Sequence, residues 1–470
     1  MGARRGPLFL GCAALVLGGA GCGRSEPAPL VLLILVDTLR LDALSCYGGE
    51  RPTPAIDALA AEGVRFEQAI ASSGWTLPSA ASILTGVSPP VHHARGKKTR
   101  LTPISPDLPT GAELLSAAGV RTIAFTNAAF VNPLLGLTRG FELQSHHHAY
   151  NDEIRRADAT IDEALAALAA EDDRPTFCLI HLFDPHIDYD PPGEYAQRYT
   201  EGLVDKKRPL SFEDCSSLPP GRTGERPSPD HVARVRAAYD AEIAFVDAEI
   251  GRLVAELERR GRLGRTSIFV TADHGEEFWE HGGFEHGHTL YDELIHVPLV
   301  LRSFEEHAVR AGVPRAGVIS AQVRSIDILP TVFELLGVPP SAGFEGRSLL
   351  PLLRGEEREP RPAFSDGTLY GRDKTALRTG DHKLVLERER DGNDSLELFD
   401  LRADPGETRD LAAQDPALAE RLRLELETWL AELERRAEKN RAGELQDLSP
   451  GKKEEYLRQL SSLGYAEDDG

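Results

Sequence analysis

Leu30-Val31-Leu32-Leu33-Ile34-Leu35-Val36 runs without a polar residue and is followed at once by Asp37-Thr38-Leu39-Arg40. A continuous aliphatic run of this length fits a strand covered on both faces, the kind found inside parallel sheets. Similar runs recur at 121–125, 177–182, 267–271 and 297–301. Helical patterns lie between them at 55–62, 111–118 and 232–259. In the last of these, Val232, Val235, Tyr239, Ile243, Val246, Ile250, Val254 and Leu257 recur at steps of three or four, the period of one helix face. Strands alternating with helices predict an α/β fold, a mostly parallel sheet sandwiched by helices.

Polar residues gather at one end of these strands. Asp37 follows the first, Asn127 the second, a stretch from His181 to His186 the third, and Asp273-His274 the fourth. Open α/β sheets bind their ligands beyond the carboxyl ends of the strands, so the pattern predicts an enzyme. Each motif carries two readings. Asp37, held at a buried strand end, can bind a hard cation or cap a helix. In Trp75-Thr76-Leu77-Pro78-Ser79, Pro78 suits the first helical position and sets the Thr76 hydroxyl near the positive end of a helix. A plain capping threonine has the same surroundings. Asp273-His274-Gly275 can place a carboxylate and an imidazole on one ion, with Gly275 allowing a sharp turn, or can hold an ordinary loop histidine. Of the remaining imidazoles, His186 and His286 rank first as site residues, to protonate a leaving oxygen or orient an anion, with His288 and His281 behind them.

The chain has 470 residues, 41% of them hydrophobic, enough for one large domain plus a smaller one. Residues 1–21 read as an export signal: Arg4 and Arg5 precede an apolar stretch too short to span a bilayer. Cys22, after Gly19-Ala20-Gly21, predicts lipoprotein processing and a lipid anchor in a bacterial envelope or periplasm; ordinary signal cleavage is the alternative. Residues 22–29 form a linker, 30–350 the catalytic domain, 351–440 a C-terminal α+β subdomain, and 441–470 a charged tail. The subdomain reads as short strands at 374–378, 382–387 and 396–401 and a helix near 416–439, entered through a charged, proline-bearing linker at 351–362. Removing 1–21 takes away Arg4 and Arg5 and deepens the formal net charge from −22 to −24, which disfavours nucleic acid and anionic membrane surfaces as partners. Cys22, Cys46, Cys178 and Cys215 form no C-x-x-C pair, so a zinc-thiolate site is excluded while a disulfide stays open.

In order along the chain, Val36-Asp37-Thr38-Leu39-Arg40, Trp75-Thr76-Leu77-Pro78-Ser79, Asp184-Pro185-His186 and Ala272-Asp273-His274-Gly275-Glu276 resemble the sulfatase family of the alkaline phosphatase superfamily. Leu290-Tyr291-Asp292-Glu293 and Glu397-Leu398-Phe399-Asp400-Leu401 resemble its later segments. The resemblance implies a metal-dependent hydrolase of sulfate or phosphate esters. Asp37, Asp273 and His274 match metal ligands, joined by Thr76 at the nucleophile position, and His186 matches the histidine facing the ester. Lys97 falls near an anion-binding Lys or Asn, and His286 falls where many members carry Lys. Family habit implies one Ca²⁺; the ligand set here favours Mn²⁺ or Zn²⁺. The departures are chemical. The residue normally oxidised to formylglycine is Thr76, so no formylglycine is expected; the following Arg is Ala80, and the second Asp of the acidic pair is Thr38. Threonine nucleophiles occur in phosphodiesterases and in envelope phosphotransferases of the superfamily, which stand as the alternative activity beside a degenerate, non-catalytic glycan-binding member. The expected partner is a sulfated or phosphorylated small molecule, glycan or lipid headgroup.

Mass spectrometry of the native N-terminus checks the export reading. The expected outcome is a lipid-modified chain beginning at Cys22; an intact Met1 rejects it.

Overall fold

All of Leu30–Val36, strand β1, is buried. The computed structural model describes residues 28–440 apart from 98–99, 128, 148–154, 171, 201–209, 218–221, 305–313, 315 and 389–393, together with 451 and 454. The expected signal at 1–21, the Cys22 anchor and nearly all of the 441–470 tail lie outside the described residues. After β1 come β2 (Val64–Ile70), β3 (Arg121–Asn127), β4 (Leu143–His147), β5 (Thr176–Leu182), β6 (Thr266–Ala272), β7 (His296–Arg302), β8 (Gly317–Ile319) and β9 (Val323–Arg324). They form one sheet ordered β8-β2-β7-β6-β1-β5-β3-β4, with β9 also paired to β2. Among the described strands of this sheet, β7 alone runs antiparallel to its neighbours, β2 and β6.

The register of the centre matters most. Val36 of β1 stands opposite Leu182 of β5 on one side and Ala272 of β6 on the other. Parallel strands in that register end at one level, so Asp37 and Asp273 emerge side by side. Helices flank the sheet as two packed groups. Pro54–Glu62 and Ala157–Leu168 both pack on the long helix Pro229–Arg259, and Thr76–Thr85 packs with Gly111–Ala117 and Ile328–Leu335.

Strand β2 escaped the sequence reading because Val64-Arg65-Phe66-Glu67-Gln68-Ala69-Ile70 has no continuous apolar run. Its pairing with β7 is also interrupted by a register shift between Val297 and Leu299. The C-terminal part is an antiparallel sheet of β10 (Ala363–Asp366), β11 (Lys374–Arg378), β12 (His382–Glu387) and β13 (Ser395–Asp400), in that order. Helix Pro416–Ala437 buries Leu422 and Leu426 against Leu377, Leu384 and Leu398 of this sheet. The segment read as a linker is anchored instead. Arg361 is buried, paired with Asp327 at 3.0 Å and Glu357 at 2.7 Å. Ala376, Val385 and Phe399 join the same apolar core as β1, so the small sheet is fused to the main body. Cys46, Cys178 and Cys215 are free thiols.

A buried charged knot fastens that fusion. Lys383, with no exposed surface, reaches Asp292 at 2.9 Å and Glu407 at 2.7 Å, and Arg378 reaches Asp292 at 2.9 Å. Glu407 also accepts from the Asp292 backbone N–H at 2.6 Å. His296, four residues after Asp292, is likewise held in the structure, its Nε2 lying 2.8 Å from Glu67 O. Removing one partner of a buried ion pair strands the other charge, at about 3–5 kcal/mol. Asp292→Ala should lower the free energy of urea unfolding by about 3 kcal/mol or more; a loss under about 1 kcal/mol contradicts this account.

Candidate active site

The strand ends deliver the acids, and their surroundings leave them charged and unsatisfied. Asp37 and Asp273 are fully buried. Both oxygens of Asp37, and Oδ2 of Asp273, lack a hydrogen-bond partner among the described residues, while Asp273 Oδ1 accepts from the His274 N–H at 3.0 Å. Burial and the neighbouring Asp37 push the Asp273 carboxyl up to about 6. For Asp37, burial pulls upward, yet the imidazoles of His181, His186 and His274 win and hold it below the usual range. Orphaned buried carboxylate oxygens of this kind are the mark of a cation site.

Helix Thr76–Thr85 supplies the nucleophile position. Its first residue is Thr76, so Pro78 sits third, where its missing N–H still costs no helical bond. Ser79 Oγ donates to Asp273 O at 2.5 Å and fixes the helix to the acid loop. Thr76 Oγ1 lies 3.1 Å from His274 Nε2, which is 3.5 Å from both Asp37 Oδ1 and Asp273 Oδ2. His274 Nδ1 lies 2.8 Å from Gly275 O. A carbonyl only accepts, so Nδ1 carries the proton and Nε2 presents a lone pair to the acids. Gly275 is required for close approach rather than for a sharp turn: its N–H bonds Leu294 O at 2.8 Å, and a Cβ would run into Glu293 O.

Thr38, where the resemblance calls for a second Asp, is buried in the left-handed region at φ 55°, with Oγ1 unpartnered among the described residues. A β-branched residue there is strained. Tyr239 holds it, its hydroxyl donating to Thr38 O at 2.8 Å and accepting from the Arg40 N–H at 2.8 Å.

A hairpin of Glu277–Phe278 and Phe284–Glu285 brings up the later imidazoles. The ring of His286 lies 4.4 Å from that of His274 and 5.0 Å from that of His186. His286 Nδ1 is 2.9 Å from Glu276 Oε1, and His186 Nδ1 is 2.5 Å from Ile187 O. Burial holds both imidazoles below their ordinary pKa. Neutral, with Nδ1–H already donated, His186 presents a lone pair rather than the acidic proton expected of it. Burial, reinforced by Glu285 and Asp37, drives Glu276 well above the carboxylate range, and burial pushes Glu285 up to about 8.

Two expectations shift. Lys97 is not brought to this cluster. Its ammonium meets Thr368 Oγ1 at 2.8 Å, Gly371 O at 3.2 Å and Asp373 at 2.8 Å, which uses its three donors. His288 and His281 are structural, His288 bonding Glu277 at 2.7 Å and His281 bonding Glu293 at 2.6 Å. Sequence reasoning named His181 only as the start of its stretch and gave it no role. Its Nε2 stands 3.3 Å from Asp37 Oδ2, and Asn127 steadies it by donating from Nδ2 to His181 O at 2.5 Å. Its place on β5 opposite Leu35 is the signal that finds it, since the registered strands put it beside Asp37.

A helix-flanked, mostly parallel sheet with a threonine, two acids and imidazoles beyond its strand ends defines an ester hydrolase of the alkaline phosphatase type. The family model described as Sulfatase matches residues 29–338, and one described as N-sulphoglucosamine sulphohydrolase, C-terminal, matches 279–436. The chain belongs to the sulfatase family. It is 25% identical to N-acetylglucosamine-6-O-sulfatase of Bacteroides thetaiotaomicron, covering 86% of each chain. It is 34% identical to arylsulfatase K of Gallus gallus over 44% of this chain and 39% of that one. The solved phosphonate monoester hydrolase of Agrobacterium radiobacter superposes with a TM-score of 0.70 at 21% identity, covering 86% of this chain and 96% of that one.

The His281–Glu293 pair gives a pH test. Burial alone would lower the His281 pKa, but the bond to Glu293 and its charge outweigh burial and raise it to about 9 from an ordinary 6.5. A histidine pKa raised by folding stabilises fully below 6.5, and that contribution is lost as pH climbs through about 9. The difference in unfolding free energy between wild type and His281→Gln should therefore be large at pH 6 and shrink by pH 10. A difference independent of pH contradicts the pairing.

Proposed function

We propose that this chain hydrolyses an anionic ester of a small molecule or glycan, with Thr76 Oγ as the nucleophile. The observation that carries this reading is the placement of the Thr76 hydroxyl, 3.1 Å from His274 Nε2 at a helix N-terminus beside two buried acids with unsatisfied oxygens. Asp37, Asp273 and His274 fit a divalent cation, with Thr76 in reach. The imidazole among these donors favours Mn²⁺ or Zn²⁺ over Ca²⁺. When bound, such an ion supplies Lewis-acid chemistry, acidifying the threonine hydroxyl and drawing charge from an ester oxygen. The chain's own part is positional and electrostatic. Backbone N–H groups at the start of Thr76–Thr85 favour negative charge on the Thr76 oxygen and on the incoming ester.

The Thr76 Oγ bond to phosphorus or sulfur forms as the bond to the departing alcohol oxygen breaks, and the proton lost by the Thr76 hydroxyl ends on that alcohol oxygen. Water then cleaves the Thr76 ester, restoring the hydroxyl and releasing phosphate, phosphonate or sulfate. Thr76 is a secondary alcohol whose oxidation gives a ketone, so the aldehyde route that expels sulfate from formylglycine hydrate is closed. A threonyl phosphate remains open to water at phosphorus, and phosphate or phosphonate esters are the better substrates on that ground. Relation to N-acetylglucosamine-6-O-sulfatase supports a sugar ester. The sequence signs in 1–29 support an envelope location with an anchor at Cys22.

Purified protein loaded with Mn²⁺ or Zn²⁺ should turn over a phosphate or phosphonate monoester faster than an aryl sulfate. Thr76→Ala should lower the best rate at least about 1,000-fold while keeping metal and fold, and Thr76→Ser should retain part of it. Wild-type rates in Thr76→Ala place the nucleophile elsewhere. Retained metal with no turnover of any ester identifies the non-catalytic binder, for which Ala80 and Thr38 speak.

A further inference from the structure

We infer that the site serves an ester free in water, and not the headgroups of the membrane that holds the chain. The inference rests on the proposed function, with its anchor at Cys22, and narrows the substrate class of that same site. Its ground is the distance between the two ends of β1.

Pro29 is the fixed point where the chain enters the fold, because its carbonyl accepts the Thr176 N–H at 2.9 Å. Leu30–Val36 follows directly and is buried throughout. Asp37 comes next, with no exposed surface. The anchor therefore joins the amino end of the central strand, and the reacting groups gather beyond its carboxyl end. Eight residue steps of extended chain separate Pro29 from Asp37, about 26 Å at about 3.3 Å per step. The covalent chain from Cys22 to Pro29 has seven steps and spans at most about 25 Å.

These lengths decide the orientation. To bring the site against the bilayer, Cys22 would have to lie at the level of Asp37 or beyond it. The straight path is already longer than the tether, and the core of the sheet closes it. A path around the outside is longer still. Three strands, each about 4.8 Å from the next, lie between β1 and the nearer edge of the sheet. The helices that flank the sheet add about 10 Å over either face. An anchored chain thus presents the site away from its own membrane. Charge acts in the same direction: 75 Asp and Glu against 53 Lys and Arg keep the body from lying flat on anionic lipid.

The test uses the full lipid-modified chain in phosphatidylcholine vesicles, beside Cys22→Ser in solution. One probe is a nitrophenyl phosphonate ester free in water. The other is the same ester fixed at headgroup level on a diacyl lipid in the enzyme's own vesicle. The anchored chain should cleave the free ester within about twofold of Cys22→Ser, and the lipid-borne ester at least about 100-fold more slowly, since a linker too short to span two sites gives an effective concentration near zero. A tether lengthened by about 20 Gly and Ser residues after Ser25 should restore cleavage of the lipid-borne ester. Equal cleavage of both esters by the anchored chain overturns the inference and leaves the proposed function standing. So does a lipid-borne ester that stays intact with the longer tether, because reach is then not what protects it. A native chain without lipid at Cys22 overturns the anchor and this inference together, while cleavage of the free ester still upholds the Thr76 chemistry. No turnover of any ester overturns both readings.

Discussion

Asp37 and Asp273 stand at the ends of neighbouring parallel strands whose register leaves them no room to separate. Val36 opposite Ala272 and Leu182 brings the three central strands to one level, and the aliphatic side chains of β1 permit no other register without carrying polar residues into the core. Two carboxylates so placed, with no guanidinium paired to them among the described residues, repel one another and lie well above their minimum energy unless a cation joins them. The sheet centre is thus built around a charge deficit that the polypeptide itself does not fill.

The elements around it answer that deficit in layers. Asn127 and His181 steady Asp37 from the neighbouring strands, Ser79 clips the nucleophile helix to the Asp273 loop, and Tyr239 holds Thr38 in an unfavourable conformation. The hairpin around Glu285 adds two further acids and an imidazole to the same volume. Each of these groups costs folding free energy when buried alone. Their convergence makes sense only as a binding site, where strain and unmet polarity are stored for a ligand.

Stability is supplied at a distance, by the fusion of the small sheet to the main body. Lys383 and Arg378 reach from that sheet to Asp292, and Glu407 closes the knot by accepting from the Asp292 backbone. Asp292 lies shortly after the site hairpin and begins the turn into β7, so the knot also anchors the chain that leaves the active site. In the sequence the same residues read as a small sheet and helix packed on the main domain behind a linker. Arg361, buried against Asp327, shows why composition misled: a charged, proline-bearing stretch looks like linker until its partners come from far along the chain.

The sequence by itself determined the sheet, the strand ends and the family, because continuous aliphatic runs and a polar residue directly after each are local features that periodicity and motif order can read. Asp37, Thr76, Asp273 and His274 belonged to that legible set. Strand β2 did not, since its burial is half-sided and its pairing with β7 is irregular. Nor did the division of labour among the histidines. His181, His186 and His286 gather at the acids while His281 and His288 turn to Glu293 and Glu277, and nothing in their spacing separates the two groups. Lys97 likewise looked fit for an anion until the 368–373 loop, some 270 residues on, took its three donors. Which partner a buried polar group finds is a long-range question, settled by what the fold packs against it, and only the tertiary structure decides it.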